Sequence, residues 1–329
     1  MSLWVKQEIL PLKDKNPYLY ESPEIIGMIR IFFLFLFSFT VTQLSAFMNN
    51  EDKKQPDQAI LSFGIIADVQ YWEGKSYGSR FYNHSLIKLS EAIDELNNTD
   101  INFIVNLGDL IDRDFKSLKP VMQILEKSDN RIYHVLGNHD FSVKHRYKDD
   151  VRNILTGEES YYSFTEHGFR FIILNTCEIS TYYGPFLSNI KARFILNELK
   201  VEGHPNIFEW NGEMSKKQIK WFKSELEEAR DRDEHVLIFS HHTIEPAGPH
   251  NVFNREEMLD IVSVYDNIIA WFSGHDHSGA YRHLNNIHFV TMKGMVEIPD
   301  RNSWSVIEIY NNKIFIKGGG MEESRILEY

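Results

Sequence analysis

The chain is expected to be an α/β protein in which two sheets pack as a sandwich flanked by helices. Three observations predict this class. From Ala59 onward, short apolar runs of strand length alternate with stretches of helical periodicity. The C-terminal third adds further strand-like runs. Five of the apolar runs end in a cluster of polar residues, the place where sheets of this class carry their sites.

Taken in order, residues 60–67 read as a buried strand. Residues 79–97 read as a helix, with Leu86, Leu89, Ile93 and Leu96 at three- and four-residue spacing. A strand is expected over 101–107, a helix over 116–128 and a strand over 132–136. Residues 161–165 and 169–175 read as an antiparallel pair turning at Glu166-His167-Gly168. Ser215 and Gln218 form a capping-box pattern that starts a helix, with Ile219, Phe222 and Leu226 on its inner face. A strand over 235–240, a helix over 255–264 and a strand over 267–273 follow. Strands over 287–293, 304–310 and 313–317 close the chain, the last two joined at Asn311-Asn312.

Residues 59–329 are therefore read as the catalytic domain, with an aromatic-rich insert at 178–213. Residues 1–58 are set apart. Ile31 to Met48 is an uncharged run of 18 residues, rich in Phe and Leu near its start and diluted by Ser38, Thr40 and Gln43. A spanning helix needs about 20 apolar residues. An export signal is shorter and ends in small residues, as at Ser45-Ala46. The expectation is a signal over residues 28–46 with Met28 as the start, giving a secreted or periplasmic protein. The alternative is a membrane anchor over residues 31–48, with membrane contact at that end.

The formal net charge is −12, which argues against nucleic acid as a partner. It leaves room for a small anionic substrate if metal ions supply local positive charge. A single cysteine, Cys177, excludes an intrachain disulfide, and its place at a strand end suggests a buried, inert thiol.

The five clusters are Asp68-Val69-Gln70, Gly108-Asp109-Leu110-Ile111-Asp112, Gly137-Asn138-His139-Asp140, Ser240-His241-His242 and Gly274-His275-Asp276-His277. Any one carboxylate after a strand would read as a helix N-cap, and any one His as packing. Five together, three of them preceded by glycine, do not. They pool carboxylate, amide and imidazole donors with no thiolate, a set suited to two divalent ions such as Mn²⁺ or Mg²⁺ rather than to structural zinc. In two-metal hydrolytic sites a carboxylate bridges the ions, and a water between them becomes the nucleophile.

The order and spacing of these clusters resemble the calcineurin-like metallophosphoesterases. That superfamily usually has His at the position of Gln70. The stretch Phe63 to Tyr71, together with His84-Ser85-Leu86, Asn211-Gly212-Glu213-Met214-Ser215 and Gly294-Met295-Val296-Glu297, is similar to the manganese-dependent ADP-ribose/CDP-alcohol diphosphatases. The resemblance implies that Asp68, Gln70 and His277 hold one ion and that Asn138, His241 and His275 hold the other, with Asp109 bridging. It implies that His139 faces the scissile phosphate as charge stabiliser or general acid. Asp112 and Asp140 would orient histidines or serve as plain caps, and Arg80 and His84 are candidate substrate contacts. Gln70, a harder and weaker donor than imidazole, tilts its site toward Mn²⁺, with Mg²⁺ second. The implied substrate is a small nucleoside-diphosphate-linked molecule. Phosphomonoesterase and cyclic-nucleotide phosphodiesterase activity are the alternatives on the same site; a non-catalytic binding module is disfavoured because no ligand position is lost. The insert aromatics Tyr182, Tyr183, Phe186, Phe194, Phe208 and Trp210 read either as a lid over a nucleobase or as packing within the insert.

Overall fold

Phe63 and Phe103 stand on neighbouring parallel strands, and their rings stack at 5.0 Å. Phe171, from a different sheet, meets both rings edge-on at 5.7 and 5.1 Å. That cluster marks the interface of a two-sheet sandwich. Each such ring withdraws enough apolar surface from water to contribute roughly 1.5–3 kcal/mol. The computed structural model describes residues 58–329, and Gln58–Tyr329 form one compact unit. The segment read as a signal or an anchor lies outside the described residues. Among the described residues no helix is long and apolar enough to cross a membrane.

The first sheet takes β1 (Leu61–Ile66), β2 (Phe103–Asn106), β3 (Arg131–His134), β12 (Ser303–Ile309), β13 (Lys313–Gly320) and β14 (Arg325–Glu328) in the order β14-β13-β12-β1-β2-β3. β1, β2 and β3 run parallel, and the C-terminal strands add on antiparallel. The second sheet takes β4 (Tyr162–Glu166), β5 (Phe169–Ile173), β8 (His235–Ser240), β9 (Ile268–Ser273), β10 (Ala280–Leu284) and β11 (Ile287–Thr291) in the order β10-β11-β9-β8-β5-β4, with β5, β8, β9 and β11 parallel. A short pair, β6 (Ile179–Ser180) and β7 (Gly212–Glu213), brackets most of the insert.

Helices cover both outer faces. α1 (Ser85–Asn97), α2 (Leu118–Leu125) and α3 (Lys148–Thr156) bury Leu89, Ile93, Val121 and Val151 in the cluster on the first sheet. α5 (Lys216–Asp231) and α6 (Arg255–Val262) bury Phe222, Leu226 and Met258 in the cluster on the second. α4 (Phe186–Glu202) lies in the insert and buries only Ala192 and Leu199.

The elements differ from the sequence expectation at instructive places. The helix expected from residue 79 begins at Ser85, because the backbone of Arg80 is bridged to Tyr77 and to Glu297. α3, α4, β10 and β14 were not expected. α3 is mostly polar, and α4 turns Phe186, Leu187, Phe194 and Val201 to the outside, so its apolar residues do not mark an inner face. Ser215 caps α5 by accepting from Gln218 N at 3.2 Å, but the reciprocal half of the capping box is absent. Ser215 N donates to Glu178 instead, and the Gln218 side chain bridges Asn175 and Glu178. Cys177 is fully buried, and desolvation pushes its thiol pKa well up, so it is inert.

Candidate metal centre

Parallel strands of both sheets deliver their carboxyl ends to one edge, and the five loops that follow β1, β2, β3, β8 and β9 meet there. The loops are tight enough to bend the backbone into the left-handed region at Asp68 (φ 52°), Gln70 (φ 45°), Asp109 (φ 56°) and His275 (φ 69°). Non-glycine residues adopt this conformation rarely and at a cost, and such residues cluster at functional sites. Two glycines make room. A Cβ on Gly137 would stand 2.2 Å from Asp109 Oδ1, and one on Gly274 would stand 2.7 Å from Asp68 Oδ2.

Asp109 sits at the centre and is fully buried. Its Oδ2 lies 3.2 Å from His241 Nε2 and 3.1 Å from Gln70 Nε2, and its Oδ1 accepts from His139 N at 2.6 Å. On one side, Asp68 Oδ1 lies 3.3 Å from His277 Nε2, and Gln70 Nε2 lies 2.9 Å from the same nitrogen. On the other, Asn138 Oδ1 lies 3.0 Å from His241 Nε2. Asp109, His241 and His275 each turn one donor atom into a space 4.8 Å across.

The outer nitrogen of each imidazole is already committed. His241 Nδ1 donates to Leu107 O at 2.8 Å, and His277 Nδ1 donates to Glu297 Oε1 at 2.7 Å. The Asn211 amide donates to Asn206 O and Pro249 O, which leaves its Oδ1 to accept from His275 Nε2 at 3.0 Å. In its neutral form each ring keeps one lone pair: that of His241 faces Asp109 and Asn138, that of His277 faces Asp68, and His275 offers a donor atom within 4.8 Å of those of Asp109 and His241.

Gln70 completes the test of fit. Its Oε1 is buried with no hydrogen-bond partner. Amide oxygen and nitrogen differ only by the partners they are given. A half-turn of that amide would point Oε1 at Asp109 Oδ2 and His277 Nε2, a group of acceptors that a metal ion between them would satisfy. The donor set therefore fits divalent metal ions at both positions.

The protein's own charges respond in the same way. Burial opposes protonation of His241 and His277, but Asp109 and Asp68 outweigh it and push both to about 9. Burial works to raise the Asp109 carboxyl, and His241 and His139 outweigh it, so it is held well below the usual carboxylate range. His275, buried among other imidazoles, is held well below the ordinary histidine value.

The remaining expected residues divide. His139 Nδ1 lies 3.0 Å from Asp112 Oδ1, and Arg80 Nη1 donates to His139 Nε2 at 3.1 Å. Arg80 and His139 both line a cleft of about 540 Å³. Asp140 does not orient a histidine. Its carboxylate accepts from Gly137 N, Asp109 N, Leu110 N and Ile111 N at 2.9, 3.0, 2.8 and 3.3 Å, and so holds the turn that carries Asp109. His84 is not in the cleft; its Nδ1 engages Pro299 O. His242 faces Thr176, Tyr182 and the Trp210 carbonyl, tying the insert down rather than facing Asp109.

Several cleft residues stand outside the five strand-end clusters. Arg113 lies over the Trp72 and Tyr82 rings at 4.9 and 5.3 Å and reaches the cleft wall. Tyr77, Tyr82 and His250 line the same cleft, and Glu297 and Asn211 fix imidazoles from behind. Only Asn211 and Glu297 had a signal, inside the stretches that resemble the diphosphatases. Of the insert aromatics, Trp210 reaches the cleft, stacked on Phe208 at 4.3 Å, while Tyr183 stacks on Phe141 at 3.7 Å.

Comparison with known proteins places the chain in a family of phosphoesterases. The calcineurin-like phosphoesterase family model matches residues 61–279. A protein of Arabidopsis thaliana named manganese-dependent ADP-ribose/CDP-alcohol diphosphatase is 26% identical, over 82% of this chain and 98% of its own length. The human protein of the same name is 27% identical, over 85% of this chain and 97% of its own length. The crystal structure of a dimetal phosphatase from Danio rerio superposes with a TM-score of 0.74 at 23% identity, covering 83% of this chain and 100% of that one.

Proposed function

This chain belongs to the calcineurin-like phosphoesterase family, and from that premise we propose that it hydrolyses the diphosphate bond of ADP-ribose, of CDP-alcohols, or of both, in a manganese-dependent reaction. The observation that carries the proposal is the arrangement of the three imidazoles, each donating outward and turning its remaining lone pair toward Asp68, Asp109 or Asn138. Asp68, Gln70 and His277 would hold one ion, Asn138, His241 and His275 the other, and Asp109 would serve both. Two bound ions supply Lewis acidity and make a water acidic enough to act as nucleophile near neutral pH.

The chain's own side chains supply the rest. His139 is placed on the cleft wall beside Arg80, where it offsets charge on the attacked phosphate or gives a proton to the departing oxygen. Arg80 adds a fixed positive charge at the same point. Trp210 offers a ring face, and aromatic faces stack on any base. The products would be a nucleoside monophosphate and a phosphorylated partner.

The test is a Mn²⁺-supplemented panel of ADP-ribose, CDP-choline, a cyclic nucleotide and p-nitrophenyl phosphate. Turnover of the first two above the last two is expected. The opposite ranking makes the protein a phosphomonoesterase or phosphodiesterase. We also propose, on the sequence of residues 28–46 alone, that the chain is exported. Sequencing the N-terminus of the mature protein checks this: an intact Met1 removes the signal and leaves the anchor over 31–48.

A further inference from the structure

The cleft with Trp210 has a neighbour. A second cavity, of about 670 Å³, shares Arg80, His275 and His277 with it, so the metal centre lies where two lobes join. The first lobe is walled by Tyr77, Tyr82 and Trp210. Among the described residues the second has no Phe, Tyr or Trp on its wall; beyond His250, His275 and His277 it is lined chiefly by Asp276, Ser278, Lys293, Glu297, Arg301 and Met321.

The charges of the second lobe are not equally free. Glu297 is engaged by His277 at 2.7 Å. Asp276 accepts from Ser278 Oγ at 2.6 Å and lies 3.5 Å from His250. Lys293 is shared with Glu323 at 3.2 Å. Arg301 is exposed, and among the described residues no carboxylate pairs with it. Arg301 is therefore the cation of the lobe without a carboxylate partner among the described residues, and Asp276 stands with it as an anion that only a hydroxyl and an imidazole contact.

We propose that this second lobe binds the half of the substrate beyond the nucleotide, and that it selects a hydroxyl-rich or anionic group over a quaternary ammonium. The proposal rests on the diphosphatase reading and narrows its substrate class. A trimethylammonium group can neither donate nor accept a hydrogen bond and is recognised by aromatic faces. The lobe lacks them and presents a guanidinium instead. A ribose or glycerol hydroxyl finds the Arg301 guanidinium, the Ser278 hydroxyl and the Asp276 carboxylate.

The experiment holds the nucleotide constant. With Mn²⁺-loaded enzyme, kcat/KM is measured for CDP-glycerol and CDP-choline, with ADP-ribose alongside, in the natural protein and in Arg301→Glu and Arg301→Ala. The natural protein should favour CDP-glycerol, and Arg301→Glu should lower that preference by about fivefold or more, chiefly through KM, as expected for a partly exposed charge pair turned from repulsive to attractive. Arg301→Ala should fall between the two. A natural preference for CDP-choline overturns the proposal. So does an Arg301→Glu variant that changes both substrates equally, and in either case the diphosphatase reading stands. Failure to cleave any of the three overturns that reading and this proposal with it.

Discussion

Replacing Gly137 with alanine tests whether Asp109 is the shared pivot of the centre. The new Cβ would stand 2.2 Å from Asp109 Oδ1, 2.4 Å from Asp109 N and 2.8 Å from Asp109 Cγ. Ordinary contact begins near 3.4 Å, so about an ångström must be recovered. Rotating the carboxylate does not recover it, because the second contact is to backbone. That backbone is held by Asp140, which accepts from both Asp109 N and Gly137 N. The overlap therefore displaces the Asp109 loop. An ångström of misplacement in a reacting constellation costs about a hundredfold in rate, and overpacking costs about 1–3 kcal/mol of stability. Titration of chelator-treated protein with Mn²⁺ by calorimetry, ADP-ribose turnover and urea unfolding together read these effects. The expected result is weakened Mn²⁺ binding, turnover down by about two orders of magnitude and a lower unfolding midpoint. Gly248→Ala is the control, since its nearest neighbour beyond the adjoining residues is 3.9 Å away. A Gly137→Ala protein that binds Mn²⁺ and turns over like the natural one refutes the reasoning.

Other outcomes follow from the same geometry. His139→Ala should leave Mn²⁺ affinity intact in calorimetry and lower kcat by about 10²- to 10⁴-fold, the range for a positioned acid–base group; equal loss of metal binding would place His139 among the ligands instead. Gln70→His should shift the metal giving highest activity from Mn²⁺ toward Zn²⁺ or Fe, checked by reloading chelator-treated protein with each ion in turn. Arg170 is buried between Glu225 and Glu234, at 2.6 and 2.7 Å, so Arg170→Met leaves those carboxylates unpaired; urea unfolding should show a loss of about 3–5 kcal/mol. Chelation should abolish turnover, and added Mn²⁺ should restore it.

Much of the framework was legible because periodicity and local punctuation carry it. β1, β8 and β9 fall within a residue of their expected bounds, since each is a largely apolar run followed by a polar cluster. The hairpin between β4 and β5 turns where His167 and Gly168 take positive φ. Elements whose residues do not alternate by burial were not legible. α3 buries only Val151 and Leu155, and the insert helix α4 holds its larger apolar residues outward. β10 is exposed along most of its length, and its partner is chosen by the neighbouring strand rather than by its own pattern.

The site divides along the same line. The order of residues settles the chemistry of the centre: which residue types end the parallel strands, that they are hard oxygen and imidazole donors, and that glycine stands before three of the clusters. These are local properties, encoded where they act. Which atoms face one another is set by the fold. Left-handed backbone at Asp68, Gln70, Asp109 and His275 aims the donors, and the amide of each donates to a residue of another loop: Asp68 to Gly108, Gln70 to Asp109, Asp109 to Asp140 and His275 to Asp68. Asp140 turned out to grip the backbone that carries Asp109, His84 turned away, and Arg113, Trp210 and Arg301 arrived at the cleft walls from separate parts of the chain. Range explains the division: ligand type is a property of one residue and its neighbours, whereas aim, burial and charge pairing depend on groups far apart in the chain, such as Asp68 and His275, 207 positions apart.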